Sequence, residues 1–536
     1  MTLERAPTFT GHDPQRQPMG PVSRAGQKLT TVYVECTHTY HSDINTGIQR
    51  VVRNIMRHGP EVAARFGMRI VPVIVENSEY RVVDSAPVLN GKLSCAKSAA
   101  PAEPEAEAEP PPAPPVLVEP EASWKRLLKR RFRGIARGAY LYLRTLIAAI
   151  FPFRPVTNFL LAPPSEFGLH RMLRQIINFI LRRQVVITGP QIGHENDKVP
   201  AEDAPKASSS EPPEPVDHTG DILLLLDSSW TEPLWPATKA FKQQGGTVVG
   251  VIYDLIPVSH PHACVPQLTA AFTDWLREYC TTTDGTIAIS HSVERQYQMY
   301  LELCFAGKQS ILQTPTTFFH LGSDLDLAGG VSLASARISA ILETKMPTFL
   351  MVGSIEPRKN HAFVLDAFDR LWDAGHHVRL IIIGKQAWRT ESFLDRVDRH
   401  PQLDESLIVL RDASDAELEQ CYLGSDALII ASEIEGFGLP IVEAFRRELP
   451  VICSDIPVFR EIGGDAVDYF DLEDPASLTE LIANFGQPRD HRSQTVPTWL
   501  TWHQSAIELL ESLSKIVDRH ASNPRQAKRT GSDRVA

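Results

Sequence analysis

The sequence predicts an α/β protein built on two doubly wound, mainly parallel sheets. Short apolar runs alternate with amphipathic helical stretches from Leu29, and the alternation starts again from Thr348. A glycine, Gly47, falls at the first strand-to-helix turn, as the opening of such a sheet requires. At 536 residues the chain exceeds what one hydrophobic core sustains, so two domains plus extra segments are expected.

Leu29-Thr-Thr-Val-Tyr-Val-Glu35 reads as the first strand and Thr46 to Met56 as the first helix. In that helix Ile48, Val51, Val52, Ile55 and Met56 fall on one inward stripe. Arg69 to Glu76 is the next strand. The pattern then stops. Residues 100–121, a Pro/Ala/Glu tract, and 197–219, rich in Pro, Ser, Glu and Asp, bury too little apolar surface to order themselves. Between them, 124–183 reads as basic amphipathic helices, with eight Lys/Arg between 125 and 144. An insertion of about 92–219, helical and disordered, is therefore expected between the second and third strands. The sheet resumes at Asp221–Asp227, Gly246–Asp254 and Gly285–Ser290. A linker at Asp324–Met346 leads to the second unit, and one last helix spans Pro497–Arg519. The expected organisation is a disordered segment 1–28, a first domain 29–335, a second domain 336–485, the helix 497–519 and a polar tail 521–536.

The composition excludes several classes. A net charge of −11 argues against a global field for nucleic acid. Seven scattered cysteines, with no CxxC pair or Cys/His cluster, imply a reducing compartment and no zinc site. Met1–Lys28 lacks the apolar core of an export signal, and no run of about 18 apolar residues marks a membrane span.

The most informative stretch is Glu435-Gly-Phe-Gly-Leu-Pro-Ile-Val-Glu443. It joins an apolar strand, Ala427–Ala431, to a helix that buries Ile441, Val442, Ala444 and Phe445. Pro440 suits a first helical turn, and the glycines let the backbone approach a bound group closely. A carboxylate on each side of the turn is a clamp for hydroxyls of a sugar or ribose. The plain alternative is a helix start whose acids favour the macrodipole.

With Val352-Gly-Ser-Ile-Glu-Pro-Arg-Lys-Asn360, Leu380–Gly384 and Val451–Pro457, this segment resembles the nucleotide-sugar domain of glycosyltransferase family 4. The resemblance runs from about Pro347 to Leu481. It implies a GT-B fold, two Rossmann-like domains facing a cleft, and a retaining hexosyltransferase such as a mannosyltransferase of bacterial surface polysaccharide biosynthesis. Under it, Arg358 and Lys359 would stabilise charge on the leaving diphosphate. Glu435 would contact the donor sugar beside the N–H groups of Gly436, Phe437 and Gly438, and Glu443 would hold the ribose. Arg411–Ser414 would bind the base through main chain. The last helix, from Trp502, would cross back to the first domain.

In the first domain Gly47 resembles the loop facing the diphosphate, with Asp43, Asn45 and Asp254 as acceptor-side candidates. Tyr253 stands where many relatives carry histidine, so no role is transferred to it. His291 and His320 are weaker candidates, and Arg446–Pro450 departs from the small residue and glycine usual there. The Asp324-Leu-Asp326 string reads as a loop accident, not a metal site, so neither metal nor cofactor is expected. Expected partners are a UDP- or GDP-linked sugar, a glycan or lipid-linked acceptor, and an anionic membrane surface held by 124–183. No nucleic acid is expected. The location would be cytoplasmic, at the inner face of the cell membrane. Two alternatives compete: a GT-B-fold sugar-nucleotide epimerase, and a non-catalytic GT-B scaffold of a membrane assembly.

Overall fold

A computed structural model describes residues 29–42, 47–90, 217–324, 335–343, 345–486 and 497–521. Asp43, Asn45, Asp326 and the 124–183 segment lie outside the described residues.

The first sheet holds β1 (Thr30–Glu35), β2 (Met68–Glu76), β3 (Glu79–Val82), β4 (Ile222–Leu225), β5 (Thr247–Ile252), β6 (Gly285–Ala288) and β7 (Thr316–Phe318). Their spatial order is β3-β2-β1-β4-β5-β6-β7. All neighbours are parallel except β2 and β3, which pair antiparallel with Val73 opposite Val82. The edge strand β3 and the Ser85–Asn90 helix after it precede residue 91. The insertion therefore follows a third strand, where the sequence pattern had placed it after a second. A four-residue hairpin strand with mostly exposed side chains leaves little apolar signature.

The second sheet holds β8 (Thr348–Val352), β9 (Arg379–Ile383), β10 (Leu407–Leu410), β11 (Ala427–Ile430), β12 (Val451–Ser454) and β13 (Asp468–Phe470). It runs β10-β9-β8-β11-β12-β13, wholly parallel. Both faces are covered, so β9 and β11 are buried throughout and read as unbroken apolar runs. Phe349, Phe368, Leu380, Ile429 and Ile452 form its core.

Each sheet reverses direction once, between β1 and β4 and between β8 and β11. Ligands of open α/β sheets bind at the carboxyl ends of strands beside such a reversal. The segments after β8 and β11 carry Arg358, Lys359 and Glu435.

The linker of the sequence reading contains a helix, Ala336–Leu342. The last helix begins at Trp502, not Pro497, because Asp324 Oδ1 accepts from the Trp502 N–H at 2.7 Å. That contact gives Asp324 a capping role. The helix packs on the Gly47–Arg65 helix and on β6 and β7, with Ser512 Oγ donating to the Phe318 carbonyl at 3.1 Å. Residues Ile256–Thr269 belong to a second compact unit, in which the described residues form a short helix, Ile256–Ser259, and a turn, Pro261–Ala263.

Candidate active site

Arg358 and Lys359 lie on a single 3₁₀ turn, Pro357–Lys359, between β8 and the His361–Asp373 helix. Asn360 joins the two in the left-handed conformation, with φ 59°. Both side chains point at Glu435. Arg358 Nη1 is 2.8 Å from Glu435 Oε2, and Lys359 Nζ pairs with Oε1, which also accepts from Ser432 Oγ at 2.8 Å. Arg358 Nη2 pairs in addition with Glu356 at 2.8 Å. The cations are only 17% and 14% exposed, so this is no solvated pair, and its neutraliser is Glu435 as much as Glu356. Burial works to raise the Glu435 carboxyl, but Arg358 and Lys359 outweigh it and hold the group down to about 2. Burial works against the Arg358 charge too, and Glu435, Glu356 and Asp254 override it and raise its value. His361, which opens the following helix, is buried with neither ring nitrogen hydrogen-bonded. Burial and then the Lys359 cation push it down to about 3, so it is neutral at pH 7.

The glycines of the Glu435 turn serve the chain itself. A Cβ on Gly436 would stand 2.1 Å from the Tyr253 carbonyl oxygen at the end of β5, and Ser290 Oγ donates to the Gly436 carbonyl at 2.8 Å. Close approach at Gly436 is thus to backbone of the first sheet, where the sequence reading had a bound group in mind. Gly438 has φ 105°, a left-handed conformation that glycine adopts without strain. Phe437 is buried, its ring 6.0 Å from those of His320 and Trp499. The turn is therefore anchored on both sides.

Glu443 sits one helical turn on, 2% exposed. Its Oε1 pairs with Arg50 Nη2 at 2.7 Å, and its Oε2 accepts from the Tyr422 hydroxyl at 2.7 Å. Arg50 belongs to the first turn of the Gly47–Arg65 helix, and a Cβ on Gly47 would lie 3.8 Å from Leu439 Cδ1. The Gly47–Arg65 helix, which comes after β1 and a short helix at Thr37–His41, thus abuts the helix that follows β11. Arg411 pairs with Asp398, and Ser414 closes a capping box with Glu417, which engages the Ser414 N–H.

His291 and His320 meet at one carboxylate the sequence did not single out. Glu461 accepts from the His291 and Ser292 N–H groups at 2.8 and 2.7 Å, and His320 Nε2 lies 3.0 Å from it. Burial opposes the Glu461 charge, yet the His320 and Ser292 contacts lower its value. Glu461 stands on the Pro457–Gly463 helix of the second sheet and closes the helix start of the first. Tyr253 is buried and donates to the Leu226 carbonyl at 2.7 Å, a packing role.

At the reversal of the first sheet a second acid pair went unnoticed in the sequence. Glu35 ends β1 and Asp227 follows β4; both are buried. Glu35 accepts from the Thr37 N–H at 2.8 Å and Ser229 Oγ at 2.9 Å, while Asp227 accepts from the Thr39 and Ser228 N–H groups at 2.6 and 2.7 Å. Burial, then the Asp227 charge, raises Glu35 to about 7. The signal was available: an acid closing an apolar strand beside the reversal.

Residues 336–496 match the family model of glycosyl transferases group 1. The chain is 37% identical over 306 residues to the serotype-specific mannosyltransferase WbdA of Escherichia coli, covering 55% of this chain and 37% of that protein. It is 32% identical over 143 residues to the O-antigen chain mannosyltransferase RfbU of Salmonella typhimurium, covering 26% of this chain and 39% of that protein. The matches thus span well under half the length of these relatives. Among solved structures, Anabaena HepE in complex with UDP and glucose superposes with a TM-score of 0.49 at 11% identity, over 90% of this chain and 99% of that one.

Proposed function

Taking residues 336–496 as a group 1 glycosyltransferase domain, we propose that the chain moves a hexosyl group, mannosyl in the first instance, from a UDP- or GDP-linked sugar to a glycan or lipid-linked glycan. The setting is surface polysaccharide biosynthesis, which the names of the WbdA and RfbU relatives support. The observation that carries the reading is the convergence of Arg358, Lys359 and Glu435 at the reversal of the second sheet. Two part-buried cations held by a carboxylate form a site that an incoming diphosphate can occupy, since phosphate oxygens satisfy Arg and Lys at least as well as a carboxylate does.

In this reading Arg358 and Lys359 take the charge of the departing diphosphate, and Glu435, freed of them, turns to the sugar. Glu443 holds the ribose. Gly47 brings a helix start of the first sheet to the same place. Transfer retains the anomeric configuration, requires no metal, and uses the leaving diphosphate as proton acceptor. Asp254, whose Cβ lies 3.2 Å from the ideal Cβ position on Gly436, stands on the acceptor side with Asp43 and Asn45. The basic 124–183 segment holds the enzyme at an anionic membrane surface on the cytoplasmic side. Among the described residues no helix is long and apolar enough to cross a membrane.

The test is a thermal-shift screen of the full chain with UDP, GDP and their hexose conjugates, followed by transfer with and without EDTA. Stabilisation by one nucleotide series, and transfer that survives EDTA, is the expected result. Indifference to every nucleotide would overturn the reading, and activity restored only by Mg²⁺ or Mn²⁺ would overturn its metal-free step.

A further inference from the structure

Both oxygens of Glu443 are already taken. Oε2 holds the Tyr422 hydroxyl and Oε1 holds Arg50, each at 2.7 Å, with the carboxylate 2% exposed. A vicinal diol grips a carboxylate with one hydroxyl on each oxygen; each oxygen keeps a second lone pair, but with the group 2% exposed a ribose gains access only where a partner moves aside. Tyr422 is not the one to leave. It is 1% exposed, stands on the Asp415–Gly424 helix, which like that of Glu443 flanks the second sheet, and lies with the Arg447 guanidinium 4.9 Å over its ring. Arg50 is different on each count. It is 21% exposed, and it comes from the helix after β1 in the other sheet.

A guanidinium that loses its carboxylate in so enclosed a place needs another anion. The donor supplies one, since its diphosphate arrives with its ribose. The first turn of the Gly47–Arg65 helix, which carries Arg50, abuts Leu439 directly after the Glu435–Gly438 turn, so Arg50 is within reach of the same place.

Resting on the nucleotide-sugar reading above, we propose that Arg50 is exchanged on donor binding: it surrenders Glu443 to the ribose and takes up the diphosphate. Arg50 therefore opposes the nucleoside half of the donor and favours the phosphate half. The ion pair also keeps Glu443 closed until a ligand brings both halves at once, so a bare nucleoside binds poorly.

The experiment measures dissociation constants of GDP, UDP, guanosine and uridine for the full chain by ligand-observed NMR, in wild type and in Arg50→Met. For the base that the wild type accepts, the preference for diphosphate over nucleoside should fall at least tenfold in the variant, with nucleoside binding unchanged or tighter. A smaller fall, or nucleoside binding that weakens in step with diphosphate binding, would overturn the exchange and leave Arg50 as a brace for Glu443. If Arg50→Met does not fold, Arg50→Lys is judged by the same two criteria with a threefold threshold, because a shorter point charge replaces the fork. A wild type that binds neither GDP nor UDP would instead sink the functional reading itself.

Discussion

Replacing Glu435 by glutamine separates the fold's use of this carboxylate from the ligand's. The wild-type group meets Arg358 at 2.8 Å, Lys359 and Ser432, and is 11% exposed. One ideal pair at that distance amounts to about 6 kcal/mol at an effective dielectric near 20, before desolvation is subtracted. Removing one partner of a buried pair typically costs about 3–5 kcal/mol. The fall of the Glu435 carboxyl from 4.5 to about 2 points to the lower end, about 3 kcal/mol at 1.36 kcal/mol per unit. The sign follows from that fall. Glu435 stabilises the fold fully above the unfolded value of 4.5 and loses its contribution as pH drops toward 2. Urea unfolding should therefore show Glu435→Gln about 3 kcal/mol less stable at pH 7, with the gap narrowing by about 1 kcal/mol at pH 4. Inorganic pyrophosphate should stabilise the variant more than the wild type, since the cations then have no competing carboxylate. A loss under about 1 kcal/mol at pH 7, or one that does not change with pH, would refute the reasoning.

Two further outcomes concern the frame around the site. Glu35, raised to about 7 by burial and the Asp227 charge, contributes stability that is complete below 4.5 and is lost as pH rises through 7. Denaturant titrations from pH 4.5 to 8 should show Glu35→Gln losing up to about 3 kcal/mol less than the wild type over that span; parallel curves would contradict it. Glu448 adopts φ 54°, donates to the Phe445 carbonyl at 3.0 Å, and is exposed. Glu448→Gly should raise stability by up to about 1 kcal/mol, because glycine carries no penalty in that conformation, and a lower melting temperature would count against this.

Much of this was legible in the sequence, for physical reasons. Parallel strands buried on both faces read as apolar runs, which is why β4, β9, β11 and β12 were visible. The antiparallel edge β3 and the three-residue β7 were not, being short and part-exposed. Among candidate site residues, Arg358, Lys359, Glu435 and Glu443 showed through motifs and the resemblance they carry, and the structure brings the first three together. Their partners did not show. Arg50 precedes Glu443 by 393 positions, and Glu461 follows its His320 and Ser292 contacts by 141 and 169 positions, separations that leave no readable pattern. The glycine usual near residue 448 is absent, yet the backbone keeps its left-handed turn at Glu448. Lys359 is a part-buried partner of Glu435, so activities of its variants have to be referred to folded protein.

The central claim is that Arg358 and Lys359 act on the leaving diphosphate, and Lys359→Ala tests it most directly. Circular dichroism and urea unfolding fix the folded fraction at the assay temperature, and hexosyl transfer is then measured from whichever UDP- or GDP-linked sugar stabilises the wild type. Turnover per folded molecule should fall on the order of 100-fold or more, as expected when a transition-state charge loses its stabiliser. Turnover within a few fold of wild type in folded protein would contradict the account and leave Lys359 as a structural partner of Glu435.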